Sequence, residues 1–531
     1  MMKRLLPLAA MVLSTVFVAG CAQGTDTFTS ETAGVPAVVL DDDPLRIVAA
    51  TELRDLETVV EQAAGELGFA IELEFPGGTL ENSERLKQGD FDEDVDATWF
   101  ATNRYVDLIG ASGKLGEATK IATSPVALGV SGDHARRLGW VDRQPTWAEI
   151  GSAAASGQLT FGMTDPSTSN SGFSALVSVA TAYAGTGQAL TLGDVDEVAP
   201  ELRSFLSGQT MTSGSSGWLK DVFLRDPNRA NALINYESVL HTINAEDNAG
   251  LRVVVPADGV VSADYPLTPL ATADAETNQQ VEALADWMLD HPEHLTDTFR
   301  RPVDPMAILP PELAQAFVIE QPFPGDRAVT DALISAYNND LRVPGDTTFV
   351  LDVSGSMAGT RMELLRSTML EMISGEASSL TGDVSLRERE NVTIIPFNFS
   401  PGEPITATVD EVGGPQRQEL VDGVTALQAE GGTGIYDALL RAYEQVEPGA
   451  SIPSIVLMTD GEQTSGLSFG HFQRLYSELP TEKKRIPVFV ILYGEANITE
   501  MENLAGLTGG KTFDAMNGGL EEAFKEIRPY Q

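Results

Sequence analysis

From Leu45 onward, strand-length apolar runs alternate with helix-length amphipathic stretches, and this alternation confines the chain to α/β folds. The first run is Leu45-Arg-Ile-Val-Ala-Ala50. A helix follows, with Leu56, Val59, Val60, Ala63 and Leu67 on one face. Strand runs recur at Ala70–Phe75, Val95–Phe100, Ile121–Val130 and Leu159–Met163, separated by helical stretches such as Ser171–Ala184 and Gln279–Leu289. A largely parallel sheet is expected. This first domain, residues 45–301, closes near Phe299-Arg300-Arg301-Pro302. A connector, 302–345, is Pro-rich to Pro324 and carries a short amphipathic helix, Ala328–Asn339. From Asp346 the pattern restarts. Strands are expected at Thr347–Val353, Val392–Phe397, Ser454–Thr459 and Val488–Tyr493. Helices are expected near Met362–Ser374, Gln416–Leu427, Ile435–Tyr443 and Phe472–Leu479, with a last one near Gly519–Ile527. The second domain, 346–531, has the size of one doubly wound sheet.

The N-terminus addresses the protein. Met1–Arg4 carry two positive charges, and Leu5–Gly20 are almost wholly apolar, the length of a signal h-region and short for a bilayer span. The run ends Val18-Ala19-Gly20-Cys21, and Cys21 is the only cysteine. This resembles the bacterial lipobox, which implies cleavage after residue 20 and lipidation of Cys21. Residues 21–44, rich in Thr, Ala, Gly and Asp, then form a flexible tether. The rest of the chain is expected on the extracytoplasmic face of the cell membrane, held through lipid.

Charge and cysteine count exclude several functions. The 34 Lys plus Arg against 77 Asp plus Glu give a formal charge of −43, which repels polyphosphate and argues against a nucleic-acid ligand. One cysteine permits no intrachain disulfide, Cys-rich zinc site or iron–sulfur cluster. Among the five His, only His291 and His294 are close in sequence, and they are not read as a metal site.

The richest constellation lies in the second domain. A strand ending at Asp352 leads into Val353-Ser354-Gly355-Ser356-Met357. A later loop reads Gly431-Gly432-Thr433-Gly434, and a third segment ends Thr459-Asp460-Gly461. In a doubly wound sheet all three lie at carboxyl strand ends, where ligands bind. Three hydroxyls and two carboxylates suit a hard cation that accepts oxygens and keeps waters. The pattern is similar to the metal-ion-dependent adhesion site of the von Willebrand factor A family, a doubly wound, Rossmann-like fold. That resemblance implies Mg²⁺ or Mn²⁺ bound directly by Ser354, Ser356 and Thr433, with Asp352 and Asp460 one layer out. It further implies a protein partner that presents a carboxylate to the metal. Gly509-Gly510-Lys511 also looks typical of the family. Gly506–Thr512 is one residue short of a phosphate loop. Gly466-Leu467-Ser468-Phe469-Gly470 matches a nucleophile elbow but follows no strand.

The first domain carries polar clusters at successive strand ends: Thr51-Glu52, Gly77-Gly78-Thr79, Asp96-Ala97-Thr98-Trp99, Asp165–Gly172 and Asn235–Ser238. Its layout is similar to two-lobed extracellular solute-binding proteins of the periplasmic-binding-protein type. That likeness implies a cleft for a small polar or anionic solute, with Thr51, Thr79, Trp99, Ser169, Ser171 and Tyr236 as candidate contacts and helix N-termini as donors. The function expected is a non-enzymatic, membrane-anchored binding and adhesion protein. The alternatives are the solute receptor of an ABC-type uptake system with an added interaction domain, and a hydrolase using Ser468 or a metal-bound water. Permease and ATPase genes nearby would favour the receptor, and turnover of simple esters the hydrolase.

Overall fold

The computed structural model describes residues 44–379, 382–383, 385–447, 451–461, 463–494, 497–516, 523 and 527. The signal segment, Cys21 and the 21–43 stretch of the tether lie outside the described residues. So does most of the last expected helix, of which Ala523 and Ile527 are described, both helical and buried. Among the described residues no helix is long and apolar enough to cross a membrane.

The first domain has the two lobes expected, each built on a mixed sheet where largely parallel pairing was expected. The first lobe orders its strands as Ile71–Glu74, Leu45–Ala49, Ala97–Trp99, Pro266–Pro269 and Thr119–Lys120. Its first three strands pair in parallel, and Pro266–Pro269 runs antiparallel to both neighbours. The second lobe is ordered Ser262–Ala263, Ala122–Ser131, Ala232–Tyr236, Phe161–Thr164 and Gln209–Ser213, with Leu251–Val254 and Arg301–Pro302 also on the long Ala122–Ser131 strand. The antiparallel members are the return strands. Periodicity marks a buried strand but not its direction, so they could not be told apart in sequence.

The chain crosses between lobes at residue 121, returns between Ala263 and Pro266, and crosses again at 300–301. The last crossing is anchored on both sides. The Arg300 guanidinium, buried, grips both oxygens of Asp55 at 2.8 and 3.0 Å and donates to the Glu52 carbonyl at 2.7 Å. Its neighbour Arg301 grips both oxygens of Glu237 in the other lobe at 2.7 and 2.9 Å. Helix Asn170–Ala184, rich in Ala, Val and Ser, is buried on nearly every face and runs through the second lobe. Helices Trp147–Ala155 and Leu192–Leu206 flank it, each opened by a Thr capping box at Thr146 and Thr191.

The connector is less loose than its prolines suggest. Helix Arg327–Ala336, capped by Asp326, and the turn that follows place Val329, Leu333, Tyr337 and Leu341 in the first domain's core. The second domain is a six-stranded sheet in the order Ile405–Thr408, Asn391–Phe397, Gly345–Asp352, Ile452–Thr459, Val488–Leu492 and Thr512–Asp514. Only the Ile405–Thr408 edge is antiparallel. Separate apolar clusters fill the two faces, one around Phe349, Leu365 and Met458, the other around Val350, Leu439 and Val490. The strand order reverses at Gly345–Asp352, so its carboxyl end opens on the crevice of the sheet.

Candidate functional sites

Asp352 ends that central strand, fully buried. Its Oδ1 accepts from the Ser354 N–H at 2.9 Å and its Oδ2 from the Thr459 hydroxyl at 2.6 Å. Thr459 in turn accepts from the Gly461 N–H at 3.0 Å, locking the Asp460 turn to Asp352. The Ser354 and Ser356 hydroxyls are 3.0 Å apart. The Gly355 N–H donates to the Gly431 carbonyl at 3.0 Å, which brings the Thr433 loop over the serines. A side chain on Gly355 would press that carbonyl at 3.3 Å, so the close approach suits glycine. The Thr433 N–H is held by the Thr464 hydroxyl at 2.8 Å. Arg361 Nη1 reaches Asp460 Oδ2 at 2.9 Å and the Ser356 carbonyl at 3.2 Å. The five residues singled out in sequence thus belong to three loops tied to one another at one sheet end. Sequence reasoning passed over Thr459, which bonds Asp352 and the backbone after Asp460, and Arg361, nine residues after Asp352. It also passed over Phe399, an exposed ring lying over Gly431 and Gly432 at the rim.

The electrostatics fit a cation. Burial, with Asp460 nearby, pushes the Asp352 carboxyl up to about 6 against the bonds it accepts. Asp460 Oδ1 is buried and accepts no hydrogen bond among the described residues, a cost a bound cation would remove. No group of three or more His, Cys, Asp or Glu side chains fit for a metal occurs among the described residues. The donor set here is instead hydroxyls backed by two acids, which suits Mg²⁺ or Mn²⁺.

The first domain holds a cavity of about 590 Å³. Thr51 lines it, with Phe75, Gly77, Gly78, Thr168 and Trp218. The other sequence candidates do not. Thr79 accepts from the Ala101 N–H, the Trp99 indole is buried and donates to the Tyr265 carbonyl, and the Tyr236 hydroxyl takes a bond from Asn170. Ser171 joins a buried hydroxyl cluster with Thr164, Ser169 and Ser216 at 2.8–3.2 Å. These residues weld the lobe interiors, a role that hydroxyls at strand ends share with ligand contact and that spacing cannot separate. The lobes approach closely at Gly78, where an added Cβ would stand 2.4 Å from the Thr168 carbonyl oxygen.

The cavity wall is acidic. Glu52, Asp55, Glu81, Asp221 and Glu246 face Arg54, Lys220 and Lys511. Burial pushes the Glu52 carboxyl up to about 7, although its own backbone and Arg300 oppose the shift. Lys511 comes from the second domain. Ser468 lies apart from both sites. It precedes helix Phe469–Glu478, its hydroxyl 3.0 Å from His471 Nδ1, and no carboxylate bonds that imidazole among the described residues. His291 and His294 stack on Trp287.

Comparison with known proteins matches these two parts. Residues 45–293 match the family model described as bacterial extracellular solute-binding protein, and residues 345–513 the von Willebrand factor type A domain. Inter-alpha-trypsin inhibitor heavy chain H4 of Sus scrofa is 27% identical over 132 residues, covering 23% of this chain. The chain spans 13% of that relative's length. Among solved structures, the periplasmic binding protein AfuA from Actinobacillus pleuropneumoniae, with fructose-6-phosphate bound, aligns with 13% identity and a TM-score of 0.45. It covers 57% of this chain and 99% of its own. A von Willebrand factor type A protein from Catenulispora acidiphila aligns with 16% identity and a TM-score of 0.29 over 35% of this chain and 42% of its own.

Proposed function

We propose that this chain, which joins a solute-binding-protein domain to a von Willebrand factor type A domain, is a non-enzymatic binding protein. Its lipid on Cys21 holds it to the outer face of the bacterial cell membrane. The second domain holds one Mg²⁺ or Mn²⁺ through Ser354, Ser356 and Thr433, with Asp352 and Asp460 behind them, and offers it to a carboxylate of a protein partner. The first domain takes a small polar solute in the cavity beside Thr51.

The observation that carries the metal reading is the Oδ1 of Asp460, without a hydrogen-bond partner among the described residues and buried beside a hydroxyl-lined crevice at the sheet's carboxyl end. Bound there, the ion supplies a positive point that reverses the local sign of a chain of charge −43. The residues do the positioning: Thr459 and the Ser354 N–H fix Asp352, and the Gly431 carbonyl fixes the serine turn. Calorimetry of the full chain with Mg²⁺ and Mn²⁺ should give one site. Asp352→Ala or Thr433→Ala should abolish it, while Asp460→Asn weakens it by about 10–100-fold, the usual scale for groups behind a metal's direct ligands. Unchanged metal binding in Asp352→Ala would reduce the crevice to a structural turn.

A further inference from the structure

One helix belongs to both domains. Ser216–Arg225 lines the first domain's cavity through Gly217, Trp218, Lys220 and Asp221. Trp218 and Val222 also pack against a core cluster of the second domain, and Asp226, which caps the helix, pairs with Arg485 at 2.9 Å. Lys511, just before the last sheet strand, reaches from the second domain to the cavity wall and sets its ammonium 4.2 Å from the centre of the Trp218 ring. The second aromatic ring of the wall, Phe75, likewise carries a cation, with Arg54 at 5.0 Å.

We propose that the face of Trp218, with Asp221 beside it, is an ammonium subsite of the solute cavity, and that Lys511 of the second domain competes for it. This deepens the reading of the cavity as a solute site and rests on it. Of the wall's carboxylates, Asp55 is gripped by Arg300 and Glu246 engages Lys220 at 2.6 Å, while Asp221 follows Trp218 by three residues on the same helix. Without Lys511 the wall would present an aromatic face with a carboxylate beside it, the chemistry that recognises an organic ammonium ion. The ligand class is a compact primary amine, since the position it takes is that of a lysine side-chain end. An amine solute and Lys511 then exclude each other at Trp218. By linkage, solute binding and the hold of the Lys511 loop on the shared helix oppose one another. The two domains are coupled through that helix without any change in the rest of their interface.

The test uses the lysine side chain's own analogue. The full chain and its Lys511→Ala variant are titrated with n-butylammonium and with n-butanol, followed by calorimetry and by tryptophan fluorescence, with Trp218→Phe to assign the signal. Lys511 is exposed, so its removal leaves the cores intact. Lys511→Ala should bind n-butylammonium at least 10-fold more tightly than the unaltered chain and ignore n-butanol, and adding Asp221→Asn should undo the gain. Equal affinity in both proteins, no saturable binding to Lys511→Ala, or an equal response to n-butanol would overturn the subsite. A parallel titration of the unaltered chain with glucose, sulfate, succinate and putrescine separates the two readings. A bound solute with no butylammonium response removes only the subsite, and no response to any probe removes both.

Discussion

Replacing Asp55 by Ala strips the buried Arg300 of the carboxylate it grips. Arg300 is 1% exposed and Asp55 24% exposed, and their two bonds are 2.8 and 3.0 Å long. Breaking a fully buried pair by deleting one partner costs about 3–5 kcal/mol, because the remaining charge is stranded. Asp55 is partly solvated, and Arg300 keeps its bonds to the Glu52 and Thr298 carbonyls, so the cost falls below that of a fully buried pair, to about 2–3 kcal/mol. At about 2–4 °C per kcal/mol for a domain of this size, the melting temperature of the first domain should fall by roughly 4–12 °C. Removing both charges together, as Asp55→Leu with Arg300→Met, should cost much less, since no ion is left without a partner. Differential scanning calorimetry with urea unfolding at pH 7 measures both. A loss below about 0.5 kcal/mol for Asp55→Ala would refute the reasoning, since that is the scatter of ordinary surface changes. A double variant as unstable as the single one would refute it equally.

Gly78→Ala should prop the lobes apart, because its Cβ meets the Thr168 backbone oxygen at 2.4 Å, whereas at Gly77 the clash is with the end of the Glu81 side chain of the same lobe rather than with backbone across the cleft. Small-angle scattering should show the wider form for Gly78→Ala and the parent form for Gly77→Ala. Glu52, raised to about 7, keeps a proton in the folded state that the unfolded chain releases near its ordinary value of 4.5. Its contribution to stability is therefore complete below about pH 4.5 and lost as pH rises through about 7. Urea midpoints from pH 5 to 8 should fall less steeply in Glu52→Gln than in the parent, and parallel profiles would contradict the assignment.

Much of this molecule was legible because apolar runs and turns obey local rules. The strands ending at Asp352, Phe397, Thr459 and Leu492 fall within a residue or two of their expected ends, since fully buried parallel strands read as unbroken Val, Ile and Leu. The loops at Asp352, Thr433 and Asp460 were legible because their residues sit in short motifs. The solute cavity was not. Ser169, Ser171 and Tyr236 bear the right chemistry, yet the lobes turn them inward to satisfy one another, while the wall draws on Glu81, Trp218 and Glu246, charged or aromatic residues on helix faces. Helix Leu192–Leu206 went unread with Pro200 inside it, and helix Ser216–Arg225 because its apolar residues, Trp218, Leu219, Val222, Phe223 and Leu224, serve two domains rather than one face. Lys511 was noticed for its loop, but nothing in one dimension says that it reaches a cavity in the other domain.

The adjacent grips of Arg300 and Arg301 on opposite lobes set how the first domain can move. Two side chains one peptide apart cannot separate, so any rocking of the lobes must turn about a line passing close to that bond. Displacement then grows with distance from it, across a cavity whose wall includes Asp55, the residue Arg300 grips. Substitutions elsewhere in that wall would alter what the cleft admits and leave the pivot in place.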